Sequence, residues 1–388
     1  MRAVIVVVSI VILVLAGLWV AGIVRQNRVA SDAWPAGLGT LHDVPRRFPK
    51  AAATPAAEEL TRLAAPLEID LRAPRERTPK VDAVREPLTA YLKSQLERTD
   101  ASIAPAPEPV ASYLAAHGEQ LAAVRRHLVS GAPIAWPVDL AQEHPPMPSL
   151  VAHMQLFRLL TADALDRASR GELVAWDDLE ASWRLARSLL ARPEQISQLV
   201  GLAGVRQTNA AARKMPLPAP YWLAEMASFD VRQSYLQSMQ AETWTVWRSG
   251  ERFGILGPLQ TNLIGERRAL TGRLAAEQRC AFDGASFVST GWNRLQRMEI
   301  PNLQSAWERL FRTRAELELT AHAVAARSGA PPNPRSACAD GQWLYESRAD
   351  GGTAIRFSKP LPEPKDRRVI HYPAEFVVTP APAKPRST

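Results

Sequence analysis

"SLVAHMQLFRLLTADALDRASRGELVAWDDLEASWRLARSLLA" runs from Ser149 to Ala191 and decides the fold class. Its apolar side chains recur every three or four residues, which is the period of a helix with one face turned to a core. Two such helices meet at the turn around Gly171, and Pro193 opens a third, Glu194–Lys214. Connections this short require neighbouring antiparallel helices. The sequence therefore predicts a mainly α-helical body built as an antiparallel bundle.

The same helical period extends in both directions from this stretch. Thr54 and Pro55 are typical of a helix start, because threonine caps the first turn and proline fits the first helical position. Gly118 marks a break within its helical segment. The proline-dense link 130–148 is predicted to pack across the bundle through Ile134, Trp136 and Leu140. Further helices are predicted over Val81–Arg98, Pro109–Val129, Leu223–Trp247, Gln260–Cys280 and Leu303–Ala326.

The N-terminal segment Ala3–Val24 has twenty-two residues and no charge. As a helix it would be about 33 Å long, enough to cross a hydrocarbon layer of about 30 Å. A cleavable signal peptide has a shorter apolar run and a small-residue cleavage site. Here the run passes directly into Arg25, and no cysteine follows it to carry a lipid. We therefore expect an uncleaved, single-pass transmembrane anchor that holds the chain at the inner membrane through residues 3–24.

The orientation of this anchor is not decided by its flanking charge. The amino terminus and Arg2 on one side nearly balance Arg25 and Arg28 on the other. Large domains translocate largely regardless of charge. We expect the body to lie outside the cytoplasm, in the periplasm of a Gram-negative cell.

A different pattern begins near the C-terminus, in "QWLYESRADGGTAIRFS" (342–358). Apolar and polar residues alternate on both sides of Asp350-Gly351, which is a strong signal of a β-hairpin. An isolated hairpin is only marginally stable. Val369–Val378 is therefore predicted to add a third strand, with Ile370, Tyr372 and Phe376 on one side.

The chain has two cysteines, Cys280 and Cys338. Neither lies in a metal-binding or Cys-x-x-Cys pattern. In an oxidising compartment we expect them to form one disulfide that pins the small sheet to the helical body, the alternative being two unpaired thiols.

These features divide the chain into five parts. They are an anchor (1–28), a tether (29–53) on which Trp34 and Phe48 are candidates to dock on the body, a helical body (54–328), a small β element (329–379) and a disordered tail (380–388).

The stretch from "ELELTAHAVAARSGAPP" to "WLYESRADGGTAIRFS" resembles the end of many uncharacterised bacterial single-pass proteins. In that group a long helix, a Gly-x-x-Pro break, a strand and an Asp-Gly turn form a pseudopilin-like element. The matching positions are Gly329, Pro332, Leu344, Tyr345, Asp350 and Gly351. The resemblance covers about forty residues and implies no activity. The chain has no Gly-Phe-x-x-x-Glu processing motif, so a filament subunit is not implied either.

Composition and motifs argue against several functions. The 47 Lys and Arg residues exceed the 39 Asp and Glu residues by 8, but the excess is dispersed, which argues against a nucleic-acid partner. The seven histidines are scattered, and we found no zinc, nucleophile-elbow or phosphate-loop motif, so no catalytic residue, metal or cofactor is predicted. The acids of "WDDLE" (176–180) suit a helix start. His153 and the tryptophans on apolar faces are interpreted as core residues.

Two classes of function remain open. The first is a non-enzymatic, membrane-tethered scaffold or interaction protein with an envelope protein partner. The second is an envelope hydrolase or ligand-binding module with a pocket between the helical body and the C-terminal sheet. For that second class Trp307, Trp343 and Tyr345 are the candidate cleft residues. A structure separates the two classes by showing which groups line any pocket.

Overall fold

The computed structural model describes residues 2–72, 79–142, 145–251, 257–281, 294–362 and 370–379. These residues form a mainly helical protein with one small antiparallel sheet near the C-terminus, as predicted. The predicted disordered tail, 380–388, lies outside the described residues. The α-helices are α1 (Arg2–Ser31), α2 (Val44–Arg47), α3 (Pro55–Ala64), α4 (Pro79–Leu96), α5 (Glu108–Ala116), α6 (Gly118–Val129), α7 (Leu150–Ser169), α8 (Ala175–Leu190), α9 (Gln195–Ala212), α10 (Trp222–Ser228), α11 (Val231–Glu251), α12 (Gly257–Ala276) and α13 (Arg294–Arg327). The strands are β1 (Trp343–Ser347), β2 (Thr353–Phe357) and β3 (Glu375–Val378).

Helices α7, α8 and α9 form the centre of the body, as the opening stretch predicts. Ser149 caps α7 by accepting a hydrogen bond from the Ala152 amide at 3.4 Å. Glycine allows α9 to approach its neighbours closely: a Cβ at Gly204 would lie 2.7 Å from the Phe157 ring, and one at Gly201 would lie 2.9 Å from Leu190. Around this centre α6 packs on α8, α4 on α7, and α11 and α13 on α9.

Several local predictions are confirmed. Thr54 accepts a hydrogen bond from the Ala57 amide at 3.3 Å and so caps α3. The chain breaks between α5 and α6 at His117–Gly118. The link after α6 crosses the bundle: Trp136 and Leu140 are buried, and Trp136 donates to the Ser188 hydroxyl at 3.0 Å.

Several boundaries differ from the prediction; α13, for example, begins at Arg294 and not at Leu303. The segment 223–247 is not one helix, because α10 ends at Ser228 and α11 begins at Val231. The third strand is shorter than predicted and begins at Glu375. Ile370 and Tyr372 precede it and pack against the main core instead of lying on a strand. Val369 lies outside the described residues.

The sheet has the order β1-β2-β3. Trp343 pairs with Phe357 and Tyr345 with Ile355, so the hairpin turns at Asp350-Gly351 as expected. Gly351 has a φ of 79°, which favours glycine at this turn. A second hydrophobic core, separate from that of the bundle, joins the sheet to α13.

The sulfur atoms of Cys280 and Cys338 lie 1.98 Å apart, which is disulfide-bonding distance. The bridge connects the segment after α12 to the segment before β1. It therefore holds the sheet to the helical body, as the sequence analysis predicted.

Candidate functional site

The anchor and the body meet without an extended linker. Helix α1 is long and apolar enough to cross a membrane by length and composition. Its last turn already enters the core, where Ala30 is fully buried. Asp32 then pairs with Arg268 of α12 at 2.5 Å, and α12 packs along α1.

The segment expected to be a tether, 29–53, lies on the body. Trp34, Leu38 and Leu41 are buried in the main core. Arg47 donates to Gln240 of α11 and to the Leu38 carbonyl, each at 2.6 Å. Apolar side chains in this proline- and glycine-containing stretch account for the docking. Docking was predicted from the sequence for Trp34 and Phe48 but not for Leu38, Leu41 or Arg47. The body is therefore held in a fixed position relative to α1.

A charged group lies buried where α9 meets α13, and we call it the Glu316 cluster: Arg206, Arg213, Arg312 and Glu316. Arg206 donates to both carboxylate oxygens of Glu316, at 2.7 and 2.6 Å. Arg312 donates to the same carboxylate at 2.9 Å. Burial alone would raise the pKa of Glu316, but the neighbouring arginines lower it by more than burial raises it. The pKa of Glu316 is therefore lowered overall. One carboxylate thus serves two guanidinium groups.

Arg213 adds a third buried cation to this cluster. Its Nη1 donates to the Pro373 carbonyl at 3.2 Å, and its Nε has no hydrogen-bond partner. Burial lowers the pKa of Arg213 to about 10. Within the described chain, the cluster therefore holds more buried positive than negative charge.

A cavity of about 270 Å³ opens beside the Glu316 cluster. It lies between helices α4, α7, α9 and α13 and the segment that leads into β3. Its lining is Thr89, Leu92, Met154, Arg158, Leu199, Leu202, Ala203, Arg206, Gln207, Arg309, Ile370 and Tyr372. We call it the arginine pocket, because its charged lining residues are the three arginines.

Arg158 projects into this pocket from α7. Among the described residues, no hydrogen bond or ion pair joins its guanidinium to the chain. Burial lowers the pKa of Arg158, Tyr372 opposes that effect, and the positive charge of Arg85 adds to it. Arg206 stacks over the Tyr372 ring, with its Cζ atom 4.9 Å from the ring centroid. The chemistry of the pocket is that of an anion receptor.

A second buried group, the α6–α8 cluster, is built differently. It consists of Arg125, Asp163, Arg167 and Asp178. Arg125 contacts Asp178 at 2.8 Å, and Arg167 contacts Asp163 at 3.0 Å. Burial and the nearby Asp163 carboxylate raise the pKa of Asp178 to about 8. Every arginine here meets a carboxylate.

Of the three candidate cleft residues, Trp343 and Tyr345 both pack against His322, whereas Trp307 lies apart from them. Trp307 is fully buried in the main core, whereas Trp343 belongs to the second core. Trp343 donates to Glu318 at 2.9 Å, and the Tyr345 hydroxyl lies 2.8 Å from His322 Nδ1. None of the three lines the arginine pocket. Trp343 and Tyr345 instead attach the sheet to α13.

The residues that line this pocket were not predicted from the sequence. Arg206 lies on α9 and Arg213 follows seven residues later at its C-terminal cap, and Arg309, Arg312 and Glu316 recur at helical spacing on α13. That spacing places each set on one helix face, which was the available signal. It could not reveal that the two faces meet.

Comparison with known proteins finds no relative: no protein-family model, curated protein or solved structure matches this chain.

Proposed function

We propose that this chain is a membrane-anchored interaction protein, an assembly or scaffold factor that works on an envelope protein partner. The observation that carries the proposal is the rigid junction between α1 and the body. Ala30 and Trp34 are buried, and Asp32 pairs with Arg268, so the body cannot swing freely on a linker. A body held in one orientation near the membrane presents the same surface to every membrane neighbour.

We further propose that the body lies in the periplasm of a Gram-negative cell, at the inner membrane. Support comes from the bonding distance between Cys280 and Cys338, because disulfides persist in oxidising compartments. An alkaline phosphatase fusion at Thr388 should be active, and denatured protein should show no free thiol until it is reduced. A fluorescent cytoplasmic fusion with an inactive phosphatase would overturn this location.

The C-terminal sheet is proposed to be the pseudopilin-like element that the resemblance implies. The long helix α13, the positive φ of 80° at Gly329 and the Asp350-Gly351 turn support this proposal. A sheet covered on one side by α13 suits a structural role.

Interaction is favoured over hydrolysis by the lining of the arginine pocket. Hydrolysis needs a general base or an activated nucleophile. The described lining offers arginine, threonine, glutamine and tyrosine as its polar groups, with no carboxylate, imidazole or thiol. Such groups hold an anion better than they activate water.

Site-directed photocrosslinking in intact cells tests the interaction. Tyr221 is 79% exposed and Leu173 is 58% exposed, and both lie beside the contact between Trp176 and Trp222. A photoreactive phenylalanine at either position should give a discrete crosslinked band. The exposed Arg126 on α6 is the matched control position. If repeated crosslinking at Tyr221 and Leu173 gives no band above that control, the surface around these two residues does not contact a protein partner.

A further inference from the structure

The arginine pocket joins two features that are usually found apart. One end carries positive charge from Arg158, Arg206 and Arg309. The other end is apolar and reaches the surface. Each end indicates a property of what the pocket binds.

The charged end has an uncompensated cation. Arg206 is only 4% exposed, and its partner Glu316 also serves Arg312. Arg158 has no partner among the described residues, although it is partly removed from water. A buried charge without a counter-charge is costly, so an anion bound here would offset that cost.

The apolar end follows from the course of α7 and α9. Both helices are antiparallel to α8, so they run parallel to each other. Met154 lines the pocket one turn before Arg158, and Leu199 lines it two turns before Arg206. One turn earlier still, Val151 is 68% exposed and Ile196 is 47% exposed. Apolar side chains on both helices therefore continue from the pocket lining to exposed positions.

We propose that the arginine pocket binds a small organic anion, with its carboxylate or phosphate group on Arg158 and Arg206 and an alkyl or aryl part along Met154 and Leu199. Arg158 can offer its guanidinium fork to two adjacent oxygens of either headgroup, whereas Arg206, whose Nε and Nη2 already bond Glu316, can offer Nη1. The Thr89 and Tyr372 hydroxyls lie in the same lining and suit the remaining oxygens. The cavity of about 270 Å³ fits a short chain and not a two-chain lipid. This site does not depend on the proposed scaffold function.

Calorimetric titration of the full-length protein in lipid nanodiscs tests the proposal, with empty nanodiscs as the blank. Hexanoate and hexyl phosphate should both bind saturably at one site. Hexan-1-ol, which has the same chain without the charge, should bind at least tenfold more weakly. Butyrate should also bind more weakly than hexanoate, by about fourfold for each methylene removed. The proposal is overturned if neither anion binds, or if hexan-1-ol binds as tightly as hexanoate.

The affinities of hexyl phosphate and hexanoate also distinguish a phosphate ester from a carboxylic acid as the natural ligand. If hexyl phosphate binds at least tenfold more tightly than hexanoate, the natural ligand is a phosphate ester; the reverse order indicates an organic acid. Either order supports an anion site. Inorganic phosphate that competes as well as hexyl phosphate would overturn the role of the apolar side chains.

Arg158→Met is the decisive variant, because Arg158 has no hydrogen-bond or ion-pair partner in the part of the chain that the structure describes. Hexanoate affinity should fall at least tenfold, while hexan-1-ol affinity stays unchanged. Arg126→Met, at an exposed position of α6, is the matched control and should bind hexanoate normally. Hexanoate binding that survives Arg158→Met unchanged would refute the assignment.

A second variant tests the position of the ligand by filling the pocket without changing its charge. Ala203 lines the pocket, and a phenyl ring in its place would fill the space beside Arg206. Ala203→Phe should abolish the binding of hexanoate and of hexan-1-ol together. Circular dichroism checks that the helices remain folded. If hexanoate still binds to the folded variant, the ligand lies elsewhere and the proposal fails.

Discussion

The two buried charge clusters of this bundle differ in one respect. In the α6–α8 cluster Arg125 and Arg167 each contact Asp163 and Asp178, and Arg167 also reaches Glu172 at 3.1 Å. In the Glu316 cluster one carboxylate contacts Arg206 and Arg312, and the buried Arg213 contacts no carboxylate among the described residues. The first is closed by its own residues, whereas the second borders a cavity.

This difference separates a structural cluster from a binding site. Paired buried charges satisfy each other and leave nothing for a ligand. A surplus of buried cations costs folding free energy, and such a cost persists where function requires it. The comparison therefore favours the arginine pocket, which borders the Glu316 cluster, as the proposed binding site, although both clusters contain the same residue types.

The largest effect is expected from removing the single carboxylate. Glu316→Gln leaves Arg206, Arg213 and Arg312 buried without a counter-charge. We expect the free energy of unfolding to fall by about 3–5 kcal/mol, since breaking a buried ion pair on one side leaves an uncompensated charge. Urea unfolding of the full-length protein, followed by circular dichroism, measures the loss.

The control for this variant is Glu346→Gln. Glu346 forms an ion pair with Arg356 across β1 and β2 at 2.5 Å, but both side chains are exposed to water. No measurable loss is expected there. If both variants lose the same stability, burial does not set the value of the Glu316 contacts.

A pH-dependent effect is expected from the α6–α8 cluster. The pKa of Asp178 is raised to about 8, from an ordinary value of 3.8. The folded protein therefore keeps a proton that the unfolded chain has lost over this interval. Its stabilising contribution is complete below pH 3.8 and disappears as the pH rises through 8.

Asp178→Asn removes this titration and keeps an oxygen to accept the hydrogen bond from Arg125. Between pH 5 and 8 the natural protein should lose stability relative to the variant, by up to about 1.4 kcal/mol per pH unit. Unfolding curves of both proteins at matched pH values give the difference. Parallel curves across this range would show that the Asp178 carboxyl is already ionised at pH 5.

The contrast between the clusters also explains what the sequence could reveal. Local patterns predicted the helices α7 to α9, the caps at Thr54 and Ser149, and the hairpin turn, because each depends on neighbouring residues. The Cys280–Cys338 bridge was predictable because the chain has only two cysteines. These features need no knowledge of how distant segments meet.

The arginine pocket could be predicted only by knowing how distant segments meet. Arg206 and Glu316 are 110 residues apart, and Arg158 belongs to another helix. The alternating pattern around Tyr372 predicted that it lies on a strand. Strand β3 begins only at Glu375, and Tyr372 packs in the main core before it. Trp307, Trp343 and Tyr345 were chosen as large aromatic residues, and packing accounts for all of them. Charged residues on buried helix faces were the better indicator.

The smallest effect has the opposite sign. Arg158→Met removes a partly buried cation that has no partner among the described residues. The substitution therefore breaks no hydrogen bond or ion pair there, and it relieves the cost of removing a charge from water. We expect the ligand-free protein to gain about 1 kcal/mol in the free energy of unfolding. The same substitution in the α6–α8 cluster, Arg125→Met, should instead cost about 3 kcal/mol, because the Asp163 carboxylate would lose a counter-charge and Asp178 a hydrogen-bond donor. Urea unfolding of both variants measures the two changes side by side. A loss at Arg158 comparable to that at Arg125 would mean that Arg158 is also structural, whereas opposite signs would show that the charge of Arg158 serves something other than the fold.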